Sequence, residues 1–126
     1  MLKYLISAII LVILDITYLT TAQSFFNNQI KHIQGSPLIP KIIPTSITYI
    51  ILLFGLSYFI LQKNATPQDA AALGFFVYSV YELTNYAIFK DWSLSMVFLD
   101  IFWGTFLFGS TTWLTYFILH LLGMKK

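Results

Sequence analysis

Residues Leu94–Leu122 read LSMVFLDIFWGTFLFGSTTWLTYFILHLL, an apolar run broken by one acid, Asp100, and carrying a single titratable base, His120. A helix needs about 20 consecutive apolar residues to cross the hydrocarbon layer. This run exceeds that length, so it is expected to tilt or protrude. Three further runs of similar character precede it, at Leu2–Ala22, Ile42–Gln62 and Asp69–Phe89. Four spans use most of the 126 residues. The expected fold is therefore all-α: one integral membrane bundle of four transmembrane helices with a long first connection.

Composition supports this assignment. Hydrophobic residues make up 58% of the chain, aromatic residues 18% and charged residues 10%, against roughly 25% charged in soluble domains. Twelve Phe, eight Tyr and three Trp exceed what a small aqueous core can bury. Disorder and an ordinary cytosolic enzyme are excluded on these grounds. The net charge of +2 is too small and scattered for a nucleic-acid surface, so no nucleic-acid partner is expected. The absence of cysteine excludes disulfides and thiolate-bound metal.

The connections divide the spans. Gln23–Lys41 holds the helix breakers Gly35-Ser36-Pro37 and Pro40, and before them Phe26, Ile30 and Ile33 recur at helical spacing. That spacing predicts a continuation of the first helix or a short helix on the membrane surface. In the polar turn Lys63–Gln68, Thr66 is placed to cap a helix with Pro67 at its first position. Lys90–Ser93 is a tight turn. Four spans put both ends on one side, with Lys3, Lys63, Lys125 and Lys126; Lys31, Lys41 and Lys90 lie on the other. The positive-inside rule then favours cytoplasmic termini, by four lysines to three. Trp92 and Trp113 fall near opposite interfaces, where aromatic anchors collect. Lys3, the run Tyr4–Leu14 and Thr20-Thr21-Ala22 also resemble a secretory signal. Asp15 at that depth argues for a retained helix instead.

The acids within the spans carry the functional signal. Asp15, Glu82 and Asp100 would each cost about 2.5–3.5 kcal/mol at a helix centre if they faced lipid. At 1.5 Å per residue, the three lie roughly 9–10 Å from the side opposite the termini. Helical phase agrees with depth. Asp15 shares a stripe with Tyr4, Ser7, Ala8, Leu11 and Tyr18. Glu82 shares one with Ala71, Gly74, Tyr78, Tyr81 and Asn85, and Asp100 with Trp103, Gly104, Leu107, Thr111 and Thr115. Gly74 and Gly104 permit close helix approach. Basic residues are absent at that level, and Lys31, His32 and Lys90 would have to snorkel inward. A proton, an alkali ion or a divalent metal is therefore the expected neutraliser of Asp15, Glu82 and Asp100, with Tyr18, Tyr78, Tyr81, Asn85, Trp103 and Gly104 in support.

Tyr81-Glu82-Leu83-Thr84-Asn85, Trp92 and Asp100-Ile101-Phe102-Trp103-Gly104 resemble the paired signature of a family of small four-helix membrane proteins, catalogued as a domain of unknown function (number 2177). That pattern runs approximately Tyr-Asp-Leu-Thr-Asn, a Trp after a short turn, then Asp-x-x-Trp-Gly. Asp15-Ile16-Thr17-Tyr18-Leu19 resembles its first-helix Asp-x-x-Trp-Leu. Glu82 stands where the family has Asp, and Tyr18 where it has Trp. The resemblance covers nearly the whole chain and implies four spans with an uncleaved first helix, but no activity.

Three functional classes fit these residues. One is a proton- or cation-coupled carrier or channel component, expected as a homo-oligomer because one four-helix unit is small for alternating access. Another is an assembly protein whose acids only fix helix packing. The third, an intramembrane enzyme with the acids as base or metal ligands, ranks last because no nucleophile, His-rich or paired-Asp motif supports it.

Overall fold

A computed structural model describes residues 1–22, 27, 28, 31 and 41–124. The described chain is helical, without strands. Helix α1 spans Leu2–Thr21, and α2 spans Ile42–Leu56 and runs on into a π-helical turn at Ser57–Leu61. Helix α3 covers Pro67–Ile88 and α4 covers Leu94–Leu121. The expectations for Phe26, Ile30, His32, Ile33, Gly35-Ser36-Pro37, Pro40, Lys125 and Lys126 lie outside the described residues.

Local chemistry sets the helix ends. Thr66 Oγ1 accepts from the Asp69 backbone N–H at 3.1 Å, and Asp69 Oδ2 accepts from the Thr66 N–H at 3.4 Å. This reciprocal box, with Pro67 behind it, starts α3 where the sequence places it. Ser93 Oγ accepts from the Met96 N–H and starts α4. The π turn closes with the Gln62 N–H donating to the Ser57 carbonyl at 2.8 Å. Next to it the Lys3 ammonium donates to the Leu61 carbonyl at 2.7 Å and to Asn64 Oδ1 at 3.1 Å. Tyr116 Oη donates to the Ala65 carbonyl at 2.6 Å. These bonds gather the start of α1, the ends of α2 and α4, and the start of α3 at one end of the bundle.

Packing is uneven. Helices α3 and α4 form a long antiparallel hairpin, and α1 lies along α4. A methyl group at Gly74 would overlap the Gly104 carbonyl, and one at Gly104 would overlap the Tyr78 ring. The two glycines are therefore what lets α3 and α4 touch. Helix α2 joins the core mainly through Leu56, Ile60 and Leu61, beside Leu11, Ala70, Leu107 and Phe108. Its first half projects, with Ile42, Ile43, Ile47 and Ile50 exposed.

Polar side chains share the interior with the apolar core, and large apolar ones cover the outside. Ser7, Asp15, Glu82, Thr111, Thr112 and Thr115 are buried, while Ile13, Phe54, Phe76, Phe98 and Phe102 point outward. Three helices are long and apolar enough to cross a membrane: Leu2–Thr21, Ile42–Leu61 and Leu94–Leu121. Helix α3 does not reach that hydropathy, so three of the four expected spans meet the criterion by length and composition. The reason is its second half, where Tyr78, Ser79, Tyr81, Glu82, Thr84, Asn85 and Tyr86 are concentrated.

Candidate functional site

The site is built around α1, because Asp15 sits on the face that α1 turns toward both α2 and α4. Asp15 is 8% exposed. Its Oδ2 accepts from Tyr49 Oη of α2 at 2.6 Å, and its Oδ1 accepts from Trp103 Nε1 of α4 at 2.9 Å. One turn further along α1, Tyr18 Oη donates to Asp100 Oδ1 of α4 at 3.1 Å. The Tyr18 and Trp103 rings stack between these two bonds, 4.5 Å apart and 4° from parallel. Two carboxylates and their three aromatic donors thus tie three helices into one network. Both oxygens of Asp15 are engaged by donors on two helices, whereas Asp100 is held by Tyr18 alone of these three.

Asp15 and Asp100 face the same space. A cleft of about 350 Å³ is lined by Asp15, Tyr18 and Leu19 from α1, Thr48 and Leu52 from α2, Val77, Tyr78 and Tyr81 from α3, and Asp100 from α4. No lysine or histidine is among these residues. Helices α2 and α3, which bound the cleft on two sides, touch each other little. Tyr78 is seated against Gly104, so the glycine that closes the α3–α4 contact also sets the tyrosine in the wall. Tyr81 is 57% exposed at the edge, which its place on the inward stripe does not anticipate.

Glu82 lies near these acids but outside the cleft lining. It is 1% exposed, and its Oε2 has no hydrogen-bond partner. Its carboxyl interacts electrostatically with Asp100 and with the Tyr18 hydroxyl, which also feels Asp15. The Trp92 indole is directed at Glu82 without a formed bond, and its Nε1 is likewise buried and unpartnered. Trp92 also stacks on Phe89 at 5.7 Å. Asn85 sits one turn beyond Tyr81 and does not line the cleft.

Sequence reasoning missed Tyr49 and Thr48. Both lie in an apolar helix without a charge of its own, where a tyrosine reads as packing. Their role is visible only once α2 is laid against α1. Lys31 and Lys90, expected as partners able to reach inward, are exposed. Among the described residues, no three His, Cys, Asp or Glu side chains converge as a set able to hold a metal ion.

Residues 1–117 match the family described as "predicted membrane protein (DUF2177)", and the chain belongs to that family. No curated protein and no solved structure matches it.

Proposed function

We propose that the chain is a four-span membrane protein with cytoplasmic termini whose acid–tyrosine cleft takes up a proton or a monovalent cation, as a carrier or channel component. One observation carries this: Asp15 and Asp100 line a single cleft that holds no basic side chain. Two carboxylates in a low-dielectric interior repel each other and favour whatever positive charge can enter. Glu82, buried close by beside the Trp92 indole, adds a third carboxyl that interacts with Asp100. The fourth span is α3. Its outer face presents Phe75, Phe76, Val80 and Leu83, while its one intramembrane acid, Glu82, is buried against the bundle, as expected for a helix that keeps its charge from lipid. A homo-oligomer would supply the second half that alternating access requires.

The test is flux into proteoliposomes driven by a proton or sodium gradient. Wild type should exceed protein-free vesicles, and Glu82→Gln and Asp100→Asn should each lower the rate at least tenfold. Rates equal to wild type in both variants overturn the proposal.

A packing role has its own support in Asp15, whose two oxygens are both taken by neutral donors on neighbouring helices. In that case Asp100→Asn lowers thermal stability while sodium and pH leave the melting temperature of the wild type unmoved. An ion-dependent rise in melting temperature that vanishes in Asp100→Asn removes the packing role as the whole explanation.

A further inference from the structure

The cleft is larger and more apolar than a proton or a bare alkali ion calls for. Such an ion is held by oxygens that converge on one point, whereas here two acids share the lining of a space of about 350 Å³ with apolar and aromatic side chains. That volume falls in the range of about 300–1,000 Å³ used for small organic molecules. Leu19, Leu52 and Val77 supply hydrocarbon, and Tyr18, Tyr78 and Tyr81 line the same space as the two carboxylates. Aromatic faces attract organic cations through their quadrupoles, more strongly when water is excluded.

An independent observation bears on charge. The Glu82 carboxyl, 1% exposed and with Oε2 unpartnered, interacts with Asp100 and the Tyr18 hydroxyl from behind the cleft wall. The Trp92 indole is the hydrogen-donating group at Glu82, so the positive group is missing on the cleft side. There Asp15 and Asp100 stand without a basic side chain, and the apolar walls leave room for a hydrophobic substituent attached to a charged head.

We infer that the cleft formed by Asp15, Asp100, Tyr18, Tyr78 and Tyr81 binds a monovalent organic cation that carries an apolar group, its charged head beside Asp100 and its apolar part against Leu52 and Val77. This rests on the reading of the cleft as a cation site and narrows it to a ligand class. The neutral donors Tyr49 and Trp103 hold Asp15 in place, and Asp100, with fewer donors, takes the head group. The gap between α2 and α3 gives such a molecule a route from the bilayer, where its apolar part already partitions.

The experiment is isothermal titration of the detergent-purified full chain with three probes: benzyltrimethylammonium, tetramethylammonium and sodium. Benzyltrimethylammonium is expected to bind saturably, at least tenfold more tightly than tetramethylammonium, which has the same head without the ring. Asp100→Asn should weaken benzyltrimethylammonium at least tenfold. Two variants guard against a folding defect in Asp100→Asn. Tyr81→Ala removes a half-exposed ring and should weaken binding at least threefold, and Thr48→Trp should block it by filling the cleft. Equal binding of benzyltrimethylammonium by wild type, Tyr81→Ala and Thr48→Trp overturns the inference. So does tetramethylammonium binding as tightly as the larger probe. If sodium or a proton binds in an Asp100-dependent way and neither ammonium does, the organic ligand is refuted and the proton- or cation-coupled reading stands. If no probe binds and protons drive no flux, both fall.

Discussion

At the scale of single residues, Asp15 separates the cost of losing a bond from the cost of leaving donors unmet. In Tyr49→Phe the 2.6 Å bond to Asp15 disappears while Trp103 keeps the other oxygen. Hydrogen bonds between membrane helices contribute about 0.6 kcal/mol on average and up to about 1.7. We expect Tyr49→Phe to cost about 1 kcal/mol in reversible unfolding from detergent. Asp15→Asn retains an oxygen for the Trp103 indole and should cost no more than that. Asp15→Ala orphans both Tyr49 Oη and Trp103 Nε1, and the desolvation of unmet buried donors raises its cost to about 2–4 kcal/mol. Equal losses in Asn and Ala would show that charge, not hydrogen bonding, holds this junction. The three acids are legible in the sequence because an ionisable group in an apolar run has few places to go. Tyr18 and Trp103 are legible because they fall in phase with Asp15 and Asp100. Tyr49 is not, since its importance arises from a neighbour 34 residues away in the chain.

At the scale of elements, the glycines make opposite predictions according to what surrounds them. A methyl at Gly74 meets the Gly104 backbone, which cannot rotate away. Gly74→Ala should therefore separate α3 from α4 and destabilise by about 1–3 kcal/mol or more. Gly55 in α2 has nothing within 4 Å of the added atom. There the helical preference of alanine over glycine, about 0.5–1 kcal/mol, should make Gly55→Ala neutral or stabilising. Thermal unfolding of the two variants side by side checks both signs. Thr66→Ala, which removes the side-chain half of the α3 cap, should cost about 1 kcal/mol. The helix starts and the Gly74–Gly104 approach could be read from residue type and spacing alone. The π turn at Ser57–Leu61 could not, because nothing in its residues, ordinary for an apolar helix, marks a change of hydrogen-bond pattern. It coincides instead with the docking of Lys3 on the Leu61 carbonyl, a contact across 58 positions of sequence.

At the scale of the whole molecule, the open question is whether α3 crosses the membrane, since its hydropathy alone does not demand it. Packing does. The α3–α4 hairpin stays in contact from Gly109, close to Ala71 and the Pro67 carbonyl, through Gly104, which meets Gly74 and Tyr78. If α4 spans, α3 must occupy the same slab. Exposure agrees, for Phe76 is 70% exposed and Phe75, Val80 and Leu83 stand out beside it, a costly arrangement in water and an ordinary one in lipid. The bonds from Lys3 to Leu61 and from Tyr116 to Ala65 place the turn at residue 63 at the same end of the bundle as residue 124. The absence of native cysteine makes the consequence simple to measure. Lys63→Cys, Lys90→Cys and Met124→Cys, all at exposed positions, can each be labelled with a membrane-impermeant maleimide in vesicles of known orientation. With four spans, Lys63→Cys and Met124→Cys react from one side and Lys90→Cys from the other. Were α3 to lie outside the hydrocarbon, Lys63→Cys and Lys90→Cys would react together and Met124→Cys from the opposite side. The two arrangements also differ in the cleft. Only with α3 in the slab do Tyr78, Tyr81 and Glu82 share the water-poor surroundings that the proposed cation site requires, so labelling that pairs residue 63 with residue 90 would remove the physical basis of that proposal along with the topology.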